Sequence, residues 1–299
     1  MTITGASLTS SAEPDGFADH FVARGPHRIH ARERPGDGPA IVLMHGFPDN
    51  CHLYDRLVPY LGRRHVVTFD FLGWGESDKP ASYEYTFGNQ EGDVDAVIRG
   101  LELDRVVLVV HDASGPAGIN WALDHPQQVA GIVALNTFYG LDPDAELNPP
   151  EAIRLFSDPK YARLTEHFAR SPREFGWLYD FQVGGFILDD EVRATFVPRL
   201  YRQFEEQPST LRPFLGLNRD LNAAVLANTG RNGELANFSA PVRIAFGERD
   251  RYLDPAIGRS LARLFGRSDV TPIDGAGHFP QLDAPQETAS AILTTPTFG

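Results

Sequence analysis

The sequence predicts an α/β protein, with a mostly parallel eight-stranded sheet flanked by helices and interrupted by one helical insertion. Two observations point there. Short apolar runs rich in β-branched residues alternate with helical patterns over residues 40–135, and the alternation resumes at residue 241. From Asn136 to Phe238 the rhythm changes to short helical patches separated by Pro, Gly and Asn, with no persuasive strand.

Two strands are expected near Asp19–Ala23 and Arg28–Arg32, broken by Gly25-Pro26. A fully buried strand follows at Ala40–Met44, then a helix over His52–Leu61 and a strand at His65–Phe71. A helix at Asn89–Leu101 precedes the strand Arg105–Val110, and a helix at Ser114–Asp124 precedes the strand Val129–Leu135. Within the insertion, helical patches cover Glu151–Phe156, Lys160–Ala169, Asp190–Glu206 and Asp220–Ala227. Beyond it come the strand Pro241–Phe246, a helix at Pro255–Leu264, the strand Val270–Ile273 and a last helix at Pro285–Leu293. The organisation is therefore a flexible tail over 1–16, a core domain over 17–136 and 239–299, and a helical cap over 137–238.

Composition narrows the function. A formal net charge of −13 disfavours nucleic acid and anionic membranes, because both need a positive surface field. No apolar run is long enough to span a bilayer, and the polar first residues lack a signal peptide's basic start and apolar segment, so a cytoplasmic protein is expected. The single cysteine, Cys51, can form neither an intrachain disulfide nor a multi-cysteine metal site, and reads as a neutral buried thiol. The expected partners are a small-molecule substrate and water; the sequence leaves a homodimer open.

The most informative stretch is Val106-Val107-Leu108-Val109-Val110-His111-Asp112-Ala113-Ser114-Gly115. A β-branched run ends in a polar pair, small residues follow, and a helix begins, which is the pattern of a strand–turn–helix elbow that lifts a nucleophile above the sheet. Asp112 holds the nucleophile position, while Ser114, Gly115, Ala117 and Gly118 let the helix approach the strand. Ser114 is a rival nucleophile, but it falls where the chain is already helical. Asp112 read alone is equally well a helix N-cap. Val110 stands where a small residue is usual, which questions the tightness of the turn.

Two further loops supply partners. Gly275-Ala276-Gly277-His278-Phe279-Pro280 follows the last strand and offers His278 as general base. Gly247-Glu248-Arg249-Asp250-Arg251-Tyr252 follows the strand Pro241–Phe246 and offers Asp250 as the acid that orients the imidazole. Glu248 and Asp254 compete for that role, and Asn136, at the alternative acid position, carries no charge. The order Asp112, Asp250, His278 is nucleophile, acid, base. His45-Gly46-Phe47-Pro48 would contribute the Phe47 N–H to an oxyanion hole, paired with that of Ala113, with His45 supporting the loop.

On these residues the chain resembles the epoxide hydrolase and haloalkane dehalogenase branch of the α/β-hydrolase superfamily. Phe69-Asp70-Phe71-Leu72-Gly73-Trp74-Gly75-Glu76-Ser77-Asp78-Lys79-Pro80, His111-Asp112 and Gly277-His278-Phe279-Pro280-Gln281 carry the likeness. The resemblance implies attack by the Asp112 carboxylate on carbon, a covalent ester, and hydrolysis of that ester by water activated at His278. It implies no cofactor and no metal. Ala113 stands where the branch usually has Trp, which removes a donor for a departing halide and favours epoxide opening over haloalkane or haloacid dehalogenation. A divergent ester or lactone hydrolase, and a ligand-binding homologue without turnover, are the further alternatives. Tyr139, Trp177, Tyr179 and Tyr201 are the substrate-facing candidates in the cap, although Leu215-Gly216-Leu217-Asn218-Arg219-Asp220 lacks the branch's late cap tyrosine.

Overall fold

The computed structural model describes residues 16–141, 158–267 and 270–297. Eight strands form one sheet: β1 (Ala18–Arg24), β2 (His27–Arg34), β3 (Asp37–Met44), β4 (Arg64–Phe69), β5 (Val106–Asp112), β6 (Val129–Thr137), β7 (Val242–Gly247) and β8 (Thr271–Ile273). Their spatial order is β1-β2-β4-β3-β5-β6-β7-β8. The first two pairings, β1 with β2 and β2 with β4, are antiparallel, and all the others are parallel. All eight expected strands form, within a few residues of their expected ends. The central strands β5 and β6 are buried along their whole length, as their uninterrupted apolar runs require.

Helix α1 (Phe87–Gly100) starts on Thr86, whose side chain accepts from Asn89 N–H, and α2 (Ser114–Asp124) follows β5 directly. The expected helix over His52–Leu61 is instead two single 3₁₀ turns, Cys51–Tyr54 and Val58–Leu61. Pro59 accounts for the break: lacking an N–H and crowding the carbonyl four residues back, it opens the second turn rather than continuing the first, although the longer α5 tolerates Pro198 in its interior.

The insertion is helical where it is described, with α3 (Ala162–Arg170), α4 (Pro172–Gln182), α5 (Asp190–Glu206), α6 (Leu211–Thr229) and a short α7 (Asn232–Leu235). The patch Glu151–Phe156 and nearly all of the tail lie outside the described residues. The sequence reading passed over α4 and began α6 nine residues late, at Asp220 rather than Leu211. Both helices carry proline in the first turn, where a missing N–H costs nothing, so each proline marks a start rather than a break. After β7 come α8 (Pro255–Leu264), α9 (Pro280–Asp283) and α10 (Pro285–Leu293). Among the described residues no helix is long and apolar enough to cross a membrane.

Candidate active site

Asp112 is the last residue of β5 and has a φ of +48°, a backbone conformation rare for a residue with a side chain. Here the surroundings hold it. The Thr137 hydroxyl donates to the Asp112 carbonyl, and the Ser114 hydroxyl accepts from His111 N–H at 2.8 Å while facing the His111 and Met44 carbonyls at 2.8 and 3.1 Å. Ser114 therefore points back into the elbow and braces it, which removes it as a nucleophile. The question raised by Val110 also has an answer. A Cβ on Gly118 would lie 2.5 Å from Val110 Cγ1, so the missing side chain on α2 makes the room that a small residue on the strand would otherwise provide.

The carboxyl edge of the sheet brings Asp112, His278, Asp250, Phe47 and Ala113 together. Phe47 N–H donates to Asp112 Oδ2 at 3.0 Å. Gly46 permits this approach, since a Cβ there would lie 2.8 Å from Asp112 Cβ. Asp112 Oδ1 is buried without a hydrogen-bond partner and lies 3.8 Å from His278 Nε2. His278 Nδ1 binds Asp250 Oδ2 at 2.9 Å, so an imidazole bearing hydrogen on Nδ1 presents its Nε2 lone pair toward Asp112. Asp250 Oδ1 accepts from Tyr252 N–H at 2.7 Å and Leu253 N–H at 2.9 Å, and Asn136 Nδ2 donates to Oδ2 at 2.7 Å.

The electrostatics follow from these contacts. Burial raises the Asp112 pKa, and the lowering contributions of His278 and the Phe47 and Ala113 N–H groups do not cancel it. For Asp250, burial is outweighed by His278, Asn136 and Leu253, and the carboxyl sits below its usual range. His278 is raised above its ordinary value because Asp250, Asp112 and Asp49 together overcome burial.

Several neighbours had no clear sequence signal. Asn136, at φ +35°, also accepts from Gly247 N–H and donates to Gly277 O, so its neutral amide clamps both polar loops. His111 Nε2 donates to the His278 carbonyl at 2.9 Å, and burial lowers its pKa to about 3, so it stays neutral and props the base loop. His45 bonds Gly46 O and Phe71 N–H, the supporting role expected of it. Asp49 is fully buried with neither oxygen bonded, and its pKa is pushed up to about 8 by burial and by Asp112. Its position directly after the Phe47-Pro48 loop was the available clue.

The space above Asp112 is small, about 20 Å³ and thus enough for one water. Phe47, Phe87 and Phe138 line it from the core, and Leu217, Asn218 and Leu221 line it from α6; Ala113 and Tyr252 complete it beside Asp112. A larger open groove lined by Gly38, Arg105 and Pro241 lies at the amino ends of the strands, away from these polar groups. In parallel sheets ligands bind at the carboxyl ends.

None of the four expected cap residues lines this cavity. Trp177 is 63% exposed, stacked between Phe168 and Phe181 on the protein surface. Tyr139 donates to Asn120 Oδ1 at 2.7 Å. Tyr201 packs against Phe175, Tyr179 and Phe204. Tyr179 is buried with its hydroxyl unbonded, within electrostatic reach of Asp49.

Residues 39–285 match the sequence model of the α/β hydrolase fold family. The chain belongs to the α/β-hydrolases. Among its relatives, a cis-3-alkyl-4-alkyloxetan-2-one decarboxylase from Xanthomonas campestris pv. campestris is 28% identical over 87% of this chain and 89% of that protein. A haloalkane dehalogenase from Mycobacterium marinum is 28% identical over 93% of both. A bifunctional epoxide hydrolase 2 from Sus scrofa is 27% identical over 97% of this chain and 57% of that protein. This α/β-hydrolase is thus an enzyme of the hydrolase class, with relatives acting on several substrate types.

Proposed function

We propose that this α/β-hydrolase opens a small strained oxygen ring, in the first instance an epoxide, through a covalent ester at Asp112. The observation that carries the reading is the asymmetry of that carboxylate: Oδ2 is held by the Phe47 N–H, while Oδ1 is unbonded and faces His278. In the first step Oδ1 attacks a ring carbon and the ring oxygen leaves with the bonding electrons. In the second, His278 removes a proton from water, hydroxide adds to the ester carbonyl, and the Phe47 and Ala113 N–H groups stabilise the oxyanion. Asp250 holds the imidazole in the tautomer this needs. The insertion acts as the cap, and with so little space above Asp112 it has to shift for substrate to enter.

Two of the three relatives reported above are named for an epoxide and an oxetan-2-one, both small strained rings that contain oxygen. Displacement of halide is the second reading, supported by the dehalogenase relative. It is disfavoured because Ala113 offers no side-chain donor to an anion leaving into a small, mostly apolar cavity. The decisive experiment is His278→Gln incubated with a panel of epoxides and haloalkanes. Turnover should fall on the order of 10³-fold or more, and intact mass with peptide mapping should find the substrate attached to Asp112. Absence of an adduct across the panel sinks the ester mechanism.

A further inference from the structure

An epoxide oxygen leaves as an alkoxide, about as basic as hydroxide. In a small, mostly apolar cavity, a side chain at its wall is well placed to supply the proton. The protein has nine tyrosines, all within the described residues. Eight are placed elsewhere. The hydroxyls of Tyr54, Tyr85 and Tyr139 are committed to Met44 O, Pro80 O and Asn120 Oδ1, and that of Tyr83 faces Asn89 O and Asp93. Tyr60 and Tyr161 are exposed, and neither Tyr179 nor Tyr201 lines the cavity.

The ninth is Tyr252. It lines the cavity with Asp112, and its ring meets the His278 ring edge-on with centroids 4.6 Å apart. Its own N–H is one of the two that hold Asp250, so the same short loop fixes the acid and sets the Tyr252 ring at the cavity wall. The other polar side chain from the wall, Asn218, spends an amide hydrogen on Phe214 O at 2.8 Å.

On the ester reading above, we infer that Tyr252 is a catalytic residue that protonates the ring oxygen as Asp112 attacks, the task for which the cap contributes no tyrosine. The chemistry balances. As the Asp112–carbon bond forms and the carbon–oxygen bond breaks, the electron pair goes to oxygen and the phenolic proton follows, leaving a tyrosinate. Hydrolysis of the ester then consumes one water and returns Asp112 as carboxylate with one net proton on His278. That proton passes back to the tyrosinate through water, which closes the cycle with both groups restored. Burial, with Asp112 and Asp250 nearby, holds the phenol well above its ordinary pKa, so it enters each cycle protonated. Transfer to an alkoxide is still downhill in the strained, opening ring. A departing halide needs no proton, so the device selects for oxygen leaving groups.

The test separates this role from the ester itself. In the His278→Gln background, the rate of Asp112 labelling is followed by intact mass with 1,2-epoxyhexane and with 1-bromohexane, with and without Tyr252→Phe. The epoxide rate should fall about 100-fold or more on Tyr252→Phe, the usual scale of general acid catalysis, while the bromide rate changes less than about 3-fold. An equal loss with both probes would mean that Tyr252 only shapes the cavity, and no loss with either would remove it from the chemistry; both overturn the inference. Site-specific 3-fluorotyrosine at position 252 keeps the shape, makes the phenol more acidic, and should speed epoxide labelling; an unchanged rate also overturns it. If neither probe labels the protein with Tyr252 intact, the ester reading and this inference fall together.

Discussion

At the carboxyl edge of the sheet, the groups that position the base are hydrogen-bonded: Asp250 takes two backbone N–H groups, an amide and an imidazole, and Asn136 ties both loops. Across the cavity, α6 presents Leu217 and Leu221, and Phe214 stacks on Phe47 with ring centroids 5.1 Å apart. One side is held by hydrogen bonds of fixed direction, the other by packing without direction. The contrast separates two jobs. Reactive groups need positions fixed to about 0.5 Å and angles to about 10–20°, which backbone-anchored loops provide. A water-excluding wall needs only volume, which many side chains can fill.

The two sides meet at Gln203 on α5. Its amide nitrogen donates to Pro48 O at 3.2 Å and also faces Asp49 O, while its oxygen accepts from Gly75 N–H at 2.9 Å. A single insertion side chain thus straps two core loops.

The comparison can be attacked at four points. The largest effect is expected from Asp250→Asn, whose amide can donate to His278 and fix the wrong tautomer. The kcat should drop by about 10²–10⁴-fold with KM little changed. The same variant bears on pH. The base works when neutral, and its pKa is raised above 6.5 in the native site, so kcat/KM should rise with pH through an apparent value above 6.5. Removing the Asp250 charge should move that limb to lower pH. A change confined to KM would break the view that the sheet edge carries the chemistry.

Asp49→Asn probes the junction. The native carboxyl has a folded-state pKa near 8, above its unfolded value near 4. Its contribution to stability is therefore fully present below about pH 4 and is lost as pH rises toward 8. The neutral, nearly isosteric amide should leave stability at pH 4 about unchanged and raise it on the order of 1–3 kcal/mol at pH 8, read from denaturant midpoints. A variant equally shifted at both pH values would show that Asp49 is not held neutral.

Gln203→Ala leaves the buried Gly75 N–H and Pro48 carbonyl without their strap. Unfolding free energy should fall by ~1–3 kcal/mol, with a larger change in KM than in kcat. A loss mainly in kcat would sharpen the comparison by assigning the insertion a share in positioning the oxyanion loop. The smallest effect belongs to Trp177→Ala. With its ring on the surface, stability should stay within about 0.5 kcal/mol and activity should be unchanged in a steady-state assay. A marked loss of kcat would return Trp177 to the site.

Sequence and structure divide this molecule along the same line. The eight strands, the elbow at Asp112 and the loops carrying Asp250 and His278 were legible in the chain, because strand periodicity, β-branched runs and glycine-framed loops are local signals that a parallel sheet turns into adjacency at one edge. The helix expected over His52–Leu61 failed for a local reason too, since Pro59 interrupts a segment too short to carry a proline as α5 carries Pro198. The wall of the cavity was not legible. The cap was expected to supply Tyr139, Trp177, Tyr179 and Tyr201, but which of its rings reach Asp112 depends on the docking of its helices, set by packing among Phe47, Phe204 and Phe214 rather than by nearest neighbours in the chain. Likewise no spacing rule shows that Ser114 turns inward, that Asn136 clamps two loops, or that Asp49 is buried without a partner. Local chemistry named the reactive groups; long-range packing chose what stands opposite them.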